Sequence, residues 1–156
     1  MSGGDLSRFV DGYERDFDRA LGEIRGGRKR SHWMWYVFPQ IAGLGSSSTS
    51  RHYAIADRNE AEQFLSDARL GPRYAQLVDA TWEQIVTNGV TVRNLFGQPD
   101  DQKLVSSLTL FAAVAADLPP SPERTTLVDQ ADAILDAAGR QGLTRCAFTR
   151  AALRND

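Results

Sequence analysis

The sequence has little of what marks secreted, metal-binding or membrane proteins. It contains a single cysteine, Cys146, so it can form no intramolecular disulfide, which excludes a secreted disulfide scaffold. One Cys and two His, His32 and His52, do not make a structural zinc site, and we expect neither a metal nor another cofactor. No apolar run approaches the roughly 20 residues that span a bilayer, and the N-terminus lacks signal-peptide features. We therefore expect a cytoplasmic protein without a membrane partner.

Familiar catalytic signatures and an excess of positive charge are also missing. The sequence has no phosphate loop, no GxGxxG fingerprint, no GxSxG elbow and no HExxH pair. The 18 Lys and Arg residues are outnumbered by 20 Asp and Glu, which gives a net charge of −2. Because general affinity for nucleic acid needs a basic excess, we do not expect a nucleic-acid partner.

What is present is the pattern of a helical domain. A chain of 156 residues that is 42% hydrophobic fits one domain over residues 1–156. Apolar residues recur at helical spacing along most of the chain, and no hairpin signal flanked by alternating strands occurs. Potential caps at Asp57, Thr91 and Ser121 and breaks at Gly71-Pro72 and Gly97 delimit the helices. The sequence predicts an all-α, single-domain bundle of about six to eight helices.

The most aromatic and basic stretch runs from Arg28 to Gln40. Ser31 is a potential N-cap and Pro39 prevents continuation, which favours a two-turn helix over 32–38. A buried strand is the alternative, because short apolar runs are ambiguous by periodicity. The Gly- and Ser-rich segment 43–50 is predicted to be a loop that closes over a site.

The motifs around this stretch occur in a characteristic order. They are Phe9-Val10, Gly27-Arg28-Lys29-Arg30-Ser31-His32-Trp33-Met34-Trp35, Phe38-Pro39-Gln40, Gly43-Leu44-Gly45, Tyr53-Ala54-Ile55, Leu70-Gly71-Pro72-Arg73, Phe96-Gly97, Asp100-Asp101, Lys103-Leu104, Ser106-Ser107 and Thr109-Leu110-Phe111. The set resembles a bacterial family of unknown function, family 1810. The resemblance covers about residues 5–115, whereas residues 119–156 diverge as additional C-terminal helices. It implies a compact all-helical fold and no particular activity.

The first candidate cluster for a ligand is basic and aromatic. Arg28, Lys29 and Arg30 follow the first helix and are suited to binding phosphate or carboxylate, aided by free N–H groups if Ser31 begins a helix. Trp33 and Trp35 offer faces for stacking, and we expect one of them to be buried and the other to line a pocket. The alternative is that the cations are solvated charges near the C-terminus of the first helix.

The second candidate cluster lies at the start of the helix after Pro99. Lys103, Ser106 and Ser107 fall within about one turn of each other, and we predict that they bind the same anion. Asp101, together with His32 from the first cluster, is the candidate for acid–base catalysis. The alternative is helix capping and surface polarity, with His32 as a structural residue. Cys146 has no evident activating partner, and we expect an inert thiol.

These residues support two main hypotheses. The first is a domain that binds, or acts on, a small anionic ligand that is phosphorylated or nucleotide-like, in one pocket formed by both clusters. The second is a protein-interaction module that uses an exposed aromatic and basic patch. Whether the protein is an enzyme stays open at this point.

Overall fold

Nine α-helices follow one another in the computed structural model, which describes residues 5–154. They are α1 Ser7–Arg25, α2 Met34–Val37, α3 Ser48–His52, α4 Arg58–Ser66, α5 Gly71–Trp82, α6 Val92–Phe96, α7 Asp100–Asp117, α8 Pro122–Arg140 and α9 Ala147–Arg154. The all-α prediction is confirmed. The segment predicted to be a loop includes α3, which is the helix beyond the eight expected. Residues 1–4, which belong to the N-terminus without signal-peptide features, and residues 155–156 lie outside the described part.

Local capping explains where several helices begin. The side-chain oxygens of Asp57, Thr91 and Ser121 each accept a hydrogen bond from the backbone N–H three residues later, at 2.9–3.1 Å. These bonds satisfy N–H groups that have no partner within the helix. Gly97 ends α6 with a φ of 76°, a conformation that favours glycine. The predicted caps at these three positions are therefore confirmed.

Helix α7 lies at the centre of the bundle. It packs against α4, α6, α8 and α9, while α1 packs against α2 and α5. Aromatic side chains fill the space between them, and Phe38 contacts Trp33, Tyr74 and Phe96 at centroid distances of 5.7–6.3 Å. Most of the aromatic run thus belongs to the core, where it buries a large apolar area.

The helix predicted over 32–38 is shorter than expected. It covers Met34–Val37, and its N-cap residue, Trp33, makes no capping hydrogen bond through its side chain. Ser31 was predicted to be the N-cap, and this is wrong, because its hydroxyl and N–H both donate to Glu23 of α1. The strand alternative is also wrong for this segment.

The C-terminus of α1 is satisfied by a side chain from a distant segment. Helix α5 continues as a π-helical turn, Glu83–Thr87, and the Gln84 amide donates to the carbonyl oxygens of Ile24 and Arg25 at 3.0 and 2.8 Å. These carbonyls lack partners within α1, so the contact fixes the turn that follows. Among residues 5–154, no helix is long and apolar enough to cross a membrane.

Candidate functional site

The turn after α1 is organised around the carboxylate of Glu23. Its Oε1 accepts hydrogen bonds from the N–H groups of Arg30 and Ser31 and from Nε1 of Trp33, at 2.7–2.9 Å. Its Oε2 accepts from the Ser31 hydroxyl at 2.6 Å. Burial alone would raise the pKa of Glu23, but these hydrogen bonds outweigh it and lower the pKa to about 2. The backbone N–H groups of the basic turn at Arg30 and Ser31 are therefore occupied by a carboxylate of the protein itself.

Two lysines and one carboxylate connect the two predicted clusters. Lys29 Nζ lies 2.8 Å from Oδ2 of Asp100 and 4.9 Å from the ring centroid of Trp33. Lys103 Nζ lies 3.6 Å from Oδ1 of the same carboxylate and 5.2 Å from the centroid of Trp35. Each ammonium group thus makes an ion pair and a cation–π contact. The structure brings together four predicted ligand residues, and Asp100 is the group that joins them.

The two tryptophans differ in exposure. Trp33 is fully buried in the core, whereas Trp35 is partly exposed and lines a cleft. This confirms the expectation that one tryptophan is buried and the other lines a pocket. Lys29 is likewise nearly buried, while about a quarter of the Lys103 side chain is exposed. Of the four ligand residues that Asp100 joins, Trp35 and Lys103 are therefore the two that a ligand can reach.

The Trp35 cleft is a small cavity of about 110 Å³. It is lined by Trp35, Arg51 and Tyr53 and by residues 40–45. Ile41 and Ile55 form an isolated parallel bridge, in which two 2.8 Å backbone hydrogen bonds hold residues 40–42 against residue 55. This bridge closes the intervening segment into a loop around the cleft. Of the segment 43–50 that was predicted to cover a site, Gly43, Leu44, Gly45 and Ser50 line this cleft.

The position of Tyr53 in the cleft wall is fixed by contacts that involve Tyr36 and residues of α1. Its ring lies 5.0 Å from that of Tyr36, whose hydroxyl donates to the buried carboxylate of Asp16. The guanidinium of Arg15 lies 5.0 Å from the Tyr36 ring. Hydrogen bonds to the hydroxyls of Tyr36 and Tyr53 raise the pKa of Arg15 further above its ordinary value. One side of the cleft is thus fixed by polar contacts to α1.

The other predicted basic residues lie elsewhere. Arg28 and Lys29 line a second cleft of about 480 Å³, together with residues 93–97. Arg30 and His32 are exposed, and neither lines the Trp35 cleft or the second one. The structure therefore does not place the basic turn and Trp35 in one pocket.

The polar residues of α7 also separate. Ser106 lines a third cleft of about 370 Å³ near Cys146. Ser107 is buried, and its Oγ lies 2.9 Å from the hydroxyl of Tyr74. Asp101 is fully buried and accepts hydrogen bonds from Arg93 Nε at 3.2 Å and from the next N–H at 2.8 Å. The predicted site is thus distributed over three clefts and the core.

Sequence reasoning did not single out Glu23 or Arg51, and it placed Asp100 at the start of a helix without predicting its ion pair with Lys29. Glu23 is separated from Ser31 by the whole turn, and Asp100 is far from Lys29 along the chain, so no local spacing indicates either contact. Arg51 follows the Gly- and Ser-rich segment 43–50 and belongs to neither of the predicted clusters. Among the residues that the structure describes, no group of three His, Cys, Asp or Glu side chains is placed to hold a metal ion.

One protein family matches most of the chain. The family described as "Protein of unknown function (DUF1810)" matches residues 3–130. The chain belongs to this family. The family resemblance drawn from the motifs is confirmed, and the DUF1810 match extends beyond residue 115 into α8.

A solved structure is similar along nearly the whole chain. It is the crystal structure of the conserved hypothetical protein Rv1873 from Mycobacterium tuberculosis, which is 35% identical, with a TM-score of 0.79. The match covers 96% of each chain, so it reaches into the C-terminal helices. No curated protein matches the chain.

Proposed function

We propose that this DUF1810 protein binds a small anionic ligand in the Trp35 cleft. The ligand is a phosphorylated or nucleotide-like compound. The observation that carries the proposal is the position of Arg51, which lines the cleft beside Trp35 and Tyr53. Arg51 makes no ion pair with an acidic side chain among residues 5–154, although Arg15 and Lys103 nearby each do. A guanidinium that faces a cleft without a carboxylate partner is suited to a phosphate or carboxylate of a ligand.

The aromatic walls provide the second part of the proposed site. Trp35 and Tyr53 offer ring surface for a planar group. Lys103 is held above Trp35 by its ion pair with Asp100, which adds positive charge near the aromatic wall. A ligand with a planar part and an anionic part would use both features.

The size of the cleft limits what enters it. Its volume of about 110 Å³ is well below the roughly 300–1,000 Å³ of pockets that enclose drug-sized ligands. We therefore propose that it holds one group of the ligand, either a phosphate or a small ring. The remainder would lie across Leu44, which also lines the third cleft.

The proposal concerns binding and includes no reaction. Asp101 is buried and paired with Arg93, and His32 is exposed outside the Trp35 cleft. Neither candidate for acid–base chemistry therefore lines the cleft that we propose for the ligand.

A thermal-shift screen tests the proposal. Inorganic phosphate, nucleoside monophosphates, sugar phosphates and dinucleotides are added at increasing concentration, because a ligand of the native state raises Tm by mass action. We expect at least one compound to raise Tm, and we expect Arg51→Ala and Lys103→Ala each to reduce the effect. Arg28→Ala is the matched control, because Arg28 lines a different cleft. A shift that depends on Arg28 but not on Arg51 would overturn the placement in the Trp35 cleft.

A second candidate function is the protein-interaction module. It is favoured by two exposed apolar side chains, Leu44 at 36% and Phe148 at 45% exposure. The Phe148 ring lies against the backbone of Gly43, so the two side chains are near each other. A folded protein whose Tm none of these compounds changes would overturn the ligand proposal and favour this candidate.

A further inference from the structure

Cys146 lies at the N-terminal end of α9 and borders the third cleft. Its carbonyl accepts the N–H of Arg150 at 3.1 Å, and its own N–H donates to the Thr109 hydroxyl at 3.2 Å. The side chain is partly exposed and lines the cleft of about 370 Å³ with Ser106 and Arg145. Cys146 therefore borders a space that a small molecule can enter.

A buried hydroxyl beside the sulfur has no partner. Thr149 is fully buried, and its Oγ1 makes no hydrogen bond among residues 5–154. Thr149 lies three residues after Cys146 on α9, which places both side chains on the same face of the helix. A buried hydroxyl without a partner is unfavourable, and a negatively charged sulfur would provide its acceptor.

The surroundings of Cys146 favour the thiolate. Burial opposes ionisation, but the hydroxyls of Ser106 and Thr149 and the N–H groups of Thr149 and Phe148 are close enough to the sulfur to stabilise its charged form. Their combined effect lowers the pKa of Cys146. The prediction that Cys146 has no activating partner is therefore wrong, because its partners come from α7 and from the next turn of α9.

Arg145 is the charged side chain that lines this cleft among residues 5–154. Its guanidinium contacts Asp132 at 3.0 Å and Asp136 at 3.2 Å on α8. Its charge is thus shared with two carboxylates. The activation of the sulfur therefore relies mainly on the hydroxyls and N–H groups described above.

We propose that Cys146 is a reactive thiolate that exchanges with small disulfides in the third cleft. The thiolate attacks one sulfur of the disulfide, a new S–S bond forms, and the original S–S bond breaks. The leaving sulfur departs with the electron pair as a thiolate and takes a proton from water. Cys146 is thereby oxidised to a mixed disulfide, and half of the small disulfide is reduced to a thiol.

The cysteine count determines the fate of the product. Because the sequence holds no second cysteine, no intramolecular thiol can displace the bound group. The mixed disulfide therefore persists until an external thiol attacks it. This proposal uses a different cleft from the one proposed for the anionic ligand, and it does not depend on that ligand.

The first test measures adduct formation with the full-length protein. Glutathione disulfide is the probe, and intact-mass spectrometry follows the addition of one glutathione group. We expect a single adduct on the wild-type protein, reversed by dithiothreitol, and none on Cys146→Ser. A folded wild-type protein that forms no adduct, while a peptide of residues 143–150 does, would overturn the proposal.

The second test measures the pH dependence of alkylation by iodoacetamide. We expect the wild-type midpoint to lie below that of the same peptide, because the peptide lacks the folded surroundings. Thr149→Val keeps the side-chain shape without the hydroxyl, and we expect it and Ser106→Ala to raise the midpoint. Thr126→Val, at an exposed position on α8, is the matched control and should leave it unchanged. A wild-type midpoint equal to or above that of the peptide would overturn the proposal.

Discussion

The indole Nε1 of Trp33 donates a hydrogen bond to Oε1 of Glu23 across 2.9 Å. The same carboxylate holds the backbone of the turn through Arg30 and Ser31. One side chain of α1 thereby positions both the basic turn and the largest buried aromatic residue. The arrangement explains why this turn, despite its several cations, is a structural feature of the fold.

The first prediction concerns the stability that Glu23 provides. Replacing it with Ala leaves donors of the turn and of Trp33 without an acceptor, and we expect a loss of about 1.5–3 kcal/mol in the free energy of unfolding. Glu14→Ala is the control on the same helix, because its ion pair with Arg73 is exposed and such pairs contribute little. Urea denaturation measures both. Equal effects of the two substitutions would contradict the role given to Glu23.

The second prediction concerns the pH dependence of that contribution. The pKa of Glu23 is about 2 in the folded protein and 4.5 ordinarily, so the folded state favours the charged form. Its contribution is fully present above about pH 4.5 and is lost as the pH falls towards 2. We expect the stability difference between wild type and Glu23→Gln to shrink across this window. A difference that stays constant from pH 7 to pH 2.5 would show that the carboxylate's charge is not responsible.

The third prediction compares the two tryptophans of the aromatic run. Trp33→Ala removes a fully buried side chain, and we expect it to cost about 3–5 kcal/mol. Trp35→Ala removes a partly exposed side chain, so we expect a clearly smaller loss. Thermal and urea unfolding of both variants provide the comparison. A greater loss for Trp35 than for Trp33 would reverse the assignment of core and cleft.

Helix boundaries were predictable where the cause is local. Ser121 caps α8 through an N–H three residues away, and Pro122 takes the first helical position. Both requirements are visible in a few consecutive letters. Helix α3 was not predicted, because its sequence, Ser48–His52, has the composition of a loop. A helix this short is stabilised by its surroundings more than by propensity.

The candidate site was predictable in composition but not in arrangement. The aromatic run indicated a cleft, and Trp35, with Lys103 over its ring, does line one. Tertiary packing places Arg28 and Ser107 away from this cleft. Arg28 lines another cleft, and the Ser107 hydroxyl lies beside that of Tyr74. Residue type specifies which chemistry is possible, whereas the crossing of helices decides which groups meet.

The fourth prediction concerns Ser107 and Tyr74, whose hydroxyls lie 2.9 Å apart in the core. Either Ser107→Ala or Tyr74→Phe leaves one buried hydroxyl without its partner, which we expect to cost about 1–3 kcal/mol. Replacing both removes the unpaired group, so the double variant should lose less than the sum of the single losses. Urea denaturation of the four proteins measures this coupling. Additive losses would contradict a direct hydrogen bond and leave Ser107 available for the role predicted from the sequence.

The fifth prediction uses two glycines of α1 that differ in their surroundings. At Gly12 an added Cβ would overlap with Cδ1 of the Tyr36 ring. That ring is buried, and its hydroxyl is bonded to Asp16, so it cannot move aside without losing a contact. Gly12→Ala should therefore be destabilising, by about 1–3 kcal/mol, as overpacked core substitutions are.

Gly22 is the matched control for this substitution. It is exposed on the same helix, and an added Cβ would meet nothing within 4 Å. Because alanine is favoured over glycine in a helix by about 1 kcal/mol, Gly22→Ala should raise the free energy of unfolding. The same chemical change is thus expected to act with opposite signs at two positions of α1, as measured by urea denaturation. Stabilisation at both positions would mean that Tyr36 does not pack against α1 at Gly12, and with it the support for Tyr53 in the wall of the Trp35 cleft would be lost.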